Sequence, residues 1–178
     1  MTVRKLTQCS STGGSPEDEA LLRSTAEPIE AFDEDLHSLI QDLSDTLRAY
    51  PICVGLAAPQ IGVQKAVAVV NPTRDPEAKD LVLVNPTIIS STGKKEIKRE
   101  SCMSVWGYQG NVMCRDKVTV HYFDENGQDQ EVCFKGYEAR IVTHEISHLN
   151  GILYIDHLSD EASYSESPIF DGLSQIEA

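Results

Sequence analysis

The stretch His144-Glu145-Ile146-Ser147-His148 decides which fold and which chemistry are expected of this chain of 178 residues. Two histidines at positions i and i+4 lie on one face of a helix, so both imidazoles can reach a single metal ion. The glutamate between them can exchange protons with a water molecule on that metal. The pattern therefore indicates metal-assisted hydrolysis. The alternative is a histidine pair on a surface helix, which a third ligand elsewhere would exclude.

The composition predicts one globular domain with flanking segments. A hydrophobic content of 40% is enough for a core, and the formal net charge of −13 argues against nucleic acid or an anionic membrane as the main partner. No run approaches the ~18 apolar residues that a membrane span requires. We expect a disordered segment at 1–15, a domain at 16–160 and an acidic, weakly structured tail at 161–178.

The five cysteines do not form the pattern of a disulfide framework. Their number is odd, their spacings are long and no C-x-x-C occurs. This usage is typical of a reducing compartment, so we expect the cytoplasm. A short basic segment rich in Ser and Thr at the N-terminus leaves an organelle as the weaker alternative location.

Hydrophobic periodicity predicts strands with a helix at either end of the series, which is an α+β arrangement. The helices are expected at 35–50 and 137–150, and the second carries the histidine pair as a core helix. Asn126-Gly127 is a strong hairpin turn. The strands are expected at 66–70, 81–84, 87–90, 96–99, 118–123 and 131–134.

The third metal ligand is not fixed by the histidine motif. One downstream pattern, H-E-x-x-H-x-x-G-x-x-H, is matched at Gly151 but has Tyr154 at its last position, so it fails at the ligand. Upstream, a thiolate at Cys102 with two imidazoles would make a tetrahedral site with one open position, although a lone cysteine is more often a buried small hydrophobe. The remaining downstream candidates are His157, Glu161 and Glu166.

Three ordered motifs favour Cys102. The chain contains G-L-A-A-P-Q from Gly55, E-S-C-M-S from Glu100 and H-E-I-S-H-L-N-G from His144. Their order and spacing resemble the signature motifs of the peptide deformylase family, and the resemblance runs from about residue 21 to residue 159. It implies a deformylase-like fold, with mixed or antiparallel sheets packed around the metal-binding helix.

The resemblance implies a role for each matching residue. Cys102, His144 and His148 would hold the metal, which in the family is commonly Fe(II), with Zn(II) as the alternative. Glu145 would take a proton from the attacking water and give it to the leaving amine. The oxyanion would be stabilised by the side-chain amide of Gln60 and the backbone N–H of Met103. Substrate contacts would come from Val54, Gly55, Glu100, Tyr137 and Ile141.

Several positions depart from the family pattern. A gapless alignment puts Cys114 where an arginine is usual, and Ser147 replaces an aspartate inside the third motif. Losing one member of an ion pair strands a charge, whereas losing both can be nearly neutral, so we hypothesise that these two were exchanged together. The other departures are Cys53, Ser101, Trp106 and Thr143.

The function expected from the resemblance is removal of the N-formyl group from N-formylmethionyl peptides, with release of formate. The expected partners are formylated peptides, including nascent chains, without direct nucleic-acid or membrane binding, and the expected oligomeric state is a monomer. One alternative is a deformylase acting on a different N-formyl amine. Another is a weakly active relative that binds metal or peptide.

Overall fold

The computed structural model describes residues 2–176, which form an antiparallel sheet with helices packed against it. The sheet has six strands in the order β1-β2-β3-β4-β5, and β6 pairs with β4 outside this path. This confirms the α+β class. The helices are α1 (Pro16–Arg23), α2 (Glu34–Ala49) and α3 (Gly136–Leu149), and the strands are β1 (Gly55–Ala57), β2 (Val67–Val70), β3 (Leu81–Cys102), β4 (Val105–Phe123), β5 (Asp129–Lys135) and β6 (Ser165–Glu166).

Strands β3 and β4 form one long hairpin, which the sequence pattern divided into shorter pieces. Residues 91–97 are all exposed, so this part of β3 has no apolar alternation to mark it as a strand. Backbone pairing nevertheless continues from Val84 opposite Phe123 to Cys102 opposite Val105, with four register shifts. The hairpin therefore delivers Cys102 to the centre of the molecule.

Helix α2 lies where its amphipathic pattern predicts. The Asp33 side chain accepts a hydrogen bond from the Leu36 backbone N–H and so caps the first turn. Leu36, Leu43 and Leu47 are buried in the largest core cluster, which also contains residues of β1, β2 and β3. None of the helices within residues 2–176 is long and apolar enough to cross a membrane.

Helix α3 is the core helix that the sequence predicts. Its Ala139, Val142 and Ile146 belong to a second core cluster, together with Leu83 of β3 and Val120 of β4. Burying that face fixes the rotation of the helix. The histidine motif on the same helix is thereby turned toward the end of β3.

The structure differs from the expectation of a disordered segment at 1–15. Leu6 and Cys9 are each only 1% exposed. The Thr2 N–H donates to the Asp45 carboxylate at 2.6 Å, and the Cys9 N–H donates to the Ser104 carbonyl at 2.8 Å. Residues 2–15 therefore pack along α2 and behind the turn that follows Cys102, while Met1 lies outside the described residues.

The acidic tail also differs from the weakly structured segment that was expected. Its Ser165 and Glu166 pair with β4. Phe170 is buried in the main core cluster, and the Ile176 N–H donates to the Tyr50 hydroxyl at 2.8 Å. The tail therefore closes over the domain as far as residue 176, and residues 177–178 lie outside the described part of the chain.

Replacing Leu6 by alanine tests whether the N-terminal segment belongs to the folded domain. Because Leu6 is almost completely buried, we expect Leu6→Ala to lower the free energy of unfolding by about 2–4 kcal/mol in urea denaturation. The neighbouring exposed Lys5→Ala is the control, with a change within about 0.5 kcal/mol. Equal stability of both variants would support the original expectation that the N-terminal segment is disordered.

Candidate metal centre and active site

One thiol and two imidazoles meet at the contact between β3 and α3. The Cys102 Sγ lies 3.2 Å from the His148 Nε2, which lies 3.2 Å from the His144 Nε2. All three donor atoms lie within 4.8 Å of one another, and the structure brings together no other such group of His, Cys, Asp and Glu within residues 2–176. The downstream alternatives His157, Glu161 and Glu166 are not part of it.

The chemistry of this donor set fits a divalent transition metal. Imidazole and thiolate together suit Zn(II) and Fe(II), and three protein ligands leave one position open. The His144 Nδ1 lies 3.0 Å from a Glu100 carboxylate oxygen, which leaves its Nε2 lone pair for a metal. His148 is 1% exposed, so its imidazole is shielded from water.

The Glu100 carboxylate links the donor set to a neighbouring thiol. Although burial alone would raise the pKa of Glu100, the hydrogen bond and charge of His144 lower it. Burial and the adjacent carboxylate raise the pKa of Cys114 to about 11, so its protonated thiol donates to the other Glu100 oxygen at 3.3 Å. Glu100 is therefore held ionised and aimed at His144.

Glu145 lies beside the donor set with an unengaged oxygen. The residue is 3% exposed, and its Oε2 has no hydrogen-bond partner. Burial raises the pKa of its carboxyl to about 7, a value suited to both accepting and donating a proton. A Cβ at Gly55 would overlap the Glu145 carboxylate, so a larger residue where β1 passes this side chain would displace it.

The Gln60 side chain is held in one orientation. Its Oε1 accepts from the Ala57 N–H at 2.9 Å, and its Nε2 lies 3.5 Å from the Cys102 Sγ and 3.3 Å from the Ser104 Oγ. The amide N–H groups are therefore presented to the donor set. Met103 follows Cys102 directly, and its carbonyl accepts from the Gln8 side chain at 2.8 Å.

A cavity of about 340 Å³ opens in front of these groups. With the exception of His148, every predicted site residue lines it. Those lining residues are Val54, Gly55, Gln60, Glu100, Cys102, Met103, Tyr137, Ile141, His144 and Glu145.

Other lining residues were not expected from the sequence. Ile169 and Phe170 come from the acidic tail, where an isolated apolar pair was the only signal. Phe170 packs on Trp106 with ring centroids 4.8 Å apart, so Trp106 supports the cavity wall from behind. The remaining unexpected residues are Ile52, Cys53, Arg74, Arg99, Gln109 and Arg140. Ser101, a departure from the family pattern beside Cys102, also lines the cavity.

A second cavity of about 450 Å³ also borders His144. Cys114 and Ser147, the two departures that we hypothesise to be linked, both line it. The Ser147 hydroxyl donates only to the Thr143 carbonyl of its own helix, at 2.8 Å. Two short side chains therefore stand in one cavity that a longer ion pair could fill.

The chain is similar to known deformylases over most of its length. A family model described as polypeptide deformylase matches residues 15–163. A peptide deformylase of Rhizobium meliloti is 38% identical over 140 residues, covering 78% of this chain and 80% of the relative. A crystal structure of a peptide deformylase from Legionella pneumophila matches with a TM-score of 0.78 and 39% identity, over 89% of this chain and 87% of that one.

A second crystal structure extends the comparison to a complex. It is a peptide deformylase from Synechococcus elongatus in complex with actinonin, with a TM-score of 0.78 and 32% identity, and it covers 90% of this chain and 81% of that one. The fold expected from the three motifs is therefore confirmed.

The shared cavity makes the exchange of Cys114 and Ser147 testable. Ser147→Asp alone adds a carboxylate without its own partner, so we expect it to lower the free energy of unfolding by about 1–3 kcal/mol. Cys114→Arg in the same chain should restore most of that loss, as measured by urea denaturation. Recovery failing to appear would refute the pairing. If Ser147→Asp alone leaves the free energy of unfolding unchanged, Arg115 or Arg140 neutralises the new charge, since both line the same cavity.

Proposed function

The chain belongs to the peptide deformylase family, enzymes that remove N-formyl groups, and we propose that its substrates are N-formylmethionyl peptides, including nascent chains. The observation that carries this proposal is the position of the Glu145 carboxyl. It is buried, has a raised pKa and lines the same cavity as Cys102 and His144, which form the donor set together with His148. The products would be formate and a peptide with a free amino terminus.

Cys102, His144 and His148 would hold the metal, and we propose Fe(II), with Zn(II) as the alternative. A divalent metal in this site would act as a Lewis acid toward the formyl carbonyl and lower the pKa of a water molecule. The Glu100 carboxylate would keep the His144 ring oriented toward it, because the 3.0 Å hydrogen bond at Nδ1 fixes the ring.

Glu145 would move the proton of the reaction. Its unpartnered Oε2 would take the proton from the attacking water and pass it to the departing amine nitrogen. The Gln60 amide and the Met103 backbone N–H would donate to the formyl oxygen as negative charge develops there. Because Gln60 is fixed by Ala57, this donor requires no reorganisation during the reaction.

The peptide would bind along the free edge of the sheet. Strand β1 is the first strand in the sheet order, and Gly55 has no side chain to obstruct a peptide beside it. Val54, Tyr137 and Ile141 would contact the methionine side chain, and Glu100 would support the site from inside. We further propose a monomer in the cytoplasm, a location consistent with five free cysteines.

Glu145→Ala tests the proton transfer. We expect formate release from a formyl-Met-Ala peptide to fall about 10²–10⁴-fold, with the metal content unchanged. Glu138→Ala, an exposed carboxylate on the same helix, is the matched control and should keep full activity. Equal activity of both variants would remove Glu145 from the mechanism. If wild-type protein holds metal but releases no formate from this peptide, the substrate is another N-formyl amine or the protein only binds metal or peptide.

Cys102→Ser tests the metal ligand. Protein purified without oxygen should contain about one metal ion per chain in the wild type and much less in Cys102→Ser, because a thiolate is the strongest donor of the set. Cys133→Ser removes an exposed thiol and should retain the metal. Elemental analysis, with circular dichroism to confirm folding, decides the question. Equal metal content in the two folded variants would exclude Cys102 as a ligand.

A further inference from the structure

The mouth of the active-site cavity is positively charged, although the chain as a whole is acidic. Four of the lining residues are exposed and therefore mark the mouth, namely Arg74, Arg99, Tyr137 and Ile169. Two of them are cations and none is a carboxylate. The lining carboxylates, Glu100 and Glu145, lie at the floor, where they serve the metal centre. The mouth thus has the opposite charge to a chain with 28 acidic and 15 basic residues.

These arginines are free of ion pairs. Within residues 2–176, no carboxylate oxygen lies within 4.0 Å of a guanidinium nitrogen of Arg74 or Arg99, whereas Arg140 interacts electrostatically with the Glu100 carboxylate. Other arginines of the chain are paired, as Arg48 is with Asp80 at 2.8 Å. An arginine without a counter-ion in a protein rich in carboxylates remains available for a carboxylate from a ligand.

The third lining arginine, Arg140, is held in place by its neighbours. The Arg140 Nη2 donates to the Arg99 carbonyl at 2.8 Å, its Cζ lies 5.8 Å from the Tyr137 ring centroid, and its buried Nε has no partner. Arg74 comes from a different element, the loop between β2 and β3. There the Asn71 side chain donates to the Asp75 carbonyl at 2.9 Å and so closes the loop around it. Arginines from the loop between β2 and β3, from β3 and from α3 therefore line one cavity.

We propose that the mouth is a carboxylate-binding subsite, which gives the enzyme a preference for formyl peptides with an acidic group after the formylmethionine. This inference rests on the proposed function. A cavity of about 340 Å³ is near the small end of ligand sites, so it holds the formylmethionyl unit and leaves the following residues at the mouth. The carboxylate would come from an acidic side chain or from the carboxyl terminus of a short peptide.

Matched peptides measure the preference directly. The peptides are formyl-Met-Asp-Ser and formyl-Met-Asn-Ser, and formyl-Met-Ala-Asp and formyl-Met-Ala-Asn, all with amidated carboxyl termini. We expect kcat/KM to be about two- to fivefold higher for aspartate than for asparagine at one of the two positions, mainly through KM. The ratio should shrink in about 0.5 M salt, because screening weakens exposed charge pairs. Comparing the free acid of formyl-Met-Ala-Ser with its amide measures a contribution from the terminal carboxylate.

Charge variants assign the preference to the mouth. Arg74→Gln and Arg99→Gln should each bring the ratio closer to one, and the double variant should abolish it. Lys79→Gln is the matched control, because it makes the same charge change in the same loop. Its side chain is 80% exposed, pairs with Glu125 and does not line the cavity. The control should keep the wild-type ratio.

Product peptides separate the subsite from the catalytic proposal. The same ratio is expected between the dissociation constants of Met-Asp-Ser and Met-Asn-Ser amides, or of the corresponding pair at the third position, which require no turnover. Loss of formate release from every peptide, with this ratio intact, would overturn the proposed function alone. The proposed subsite is wrong if every ratio between the aspartate and the asparagine peptide lies within about twofold of one. It is also wrong if the preference for aspartate persists in the double arginine variant.

Discussion

The contact between the end of β3 and the buried face of α3 is the constraint on which the rest of the structure depends. It brings the Cys102 Sγ to 3.2 Å from the His148 Nε2, across 46 positions of sequence. Neither element could do this alone, because the strand supplies a single thiol and the helix only its two imidazoles. Burial of Val142 and Ile146 sets the rotation of α3 about its axis. The long β3–β4 hairpin sets the position of the Cys102 thiol.

The same contact determines the chemistry of the carboxyl groups around it. Glu145 shares the helix of the histidines, so its carboxyl is carried into a buried position, where its pKa rises to about 7. Glu100 lies two positions before Cys102 and is therefore brought to the His144 Nδ1. Two carboxyl groups in one site thus differ in state, because Glu100 accepts a hydrogen bond from His144 and Glu145 has an unpartnered oxygen. Glu100 is therefore suited to orient the metal ligand His144, and Glu145 is suited to accept and donate protons.

The parts of the site that lie in short motifs were predictable, and the parts assembled from distant segments were not. Helices expected at 35–50 and 137–150 are observed at Glu34–Ala49 and Gly136–Leu149, because each carries a strong apolar period. The exposed middle of the hairpin gives no such period. Phe170 and Arg74 reach the cavity only through tertiary packing, so no spacing in the sequence relates them to the histidine motif. The buried N-terminal segment was missed for the same reason.

X-ray absorption spectroscopy of the zinc-loaded protein tests the central claim most directly, since it reports which atoms surround the metal. The contact between β3 and α3 predicts one sulfur at about 2.3 Å and two imidazole nitrogens at about 2.0–2.1 Å, with the remaining position filled by oxygen. A shell of nitrogen and oxygen without sulfur, in a folded protein that holds zinc, would contradict it. It would show that Cys102 and the two histidines do not act on one ion.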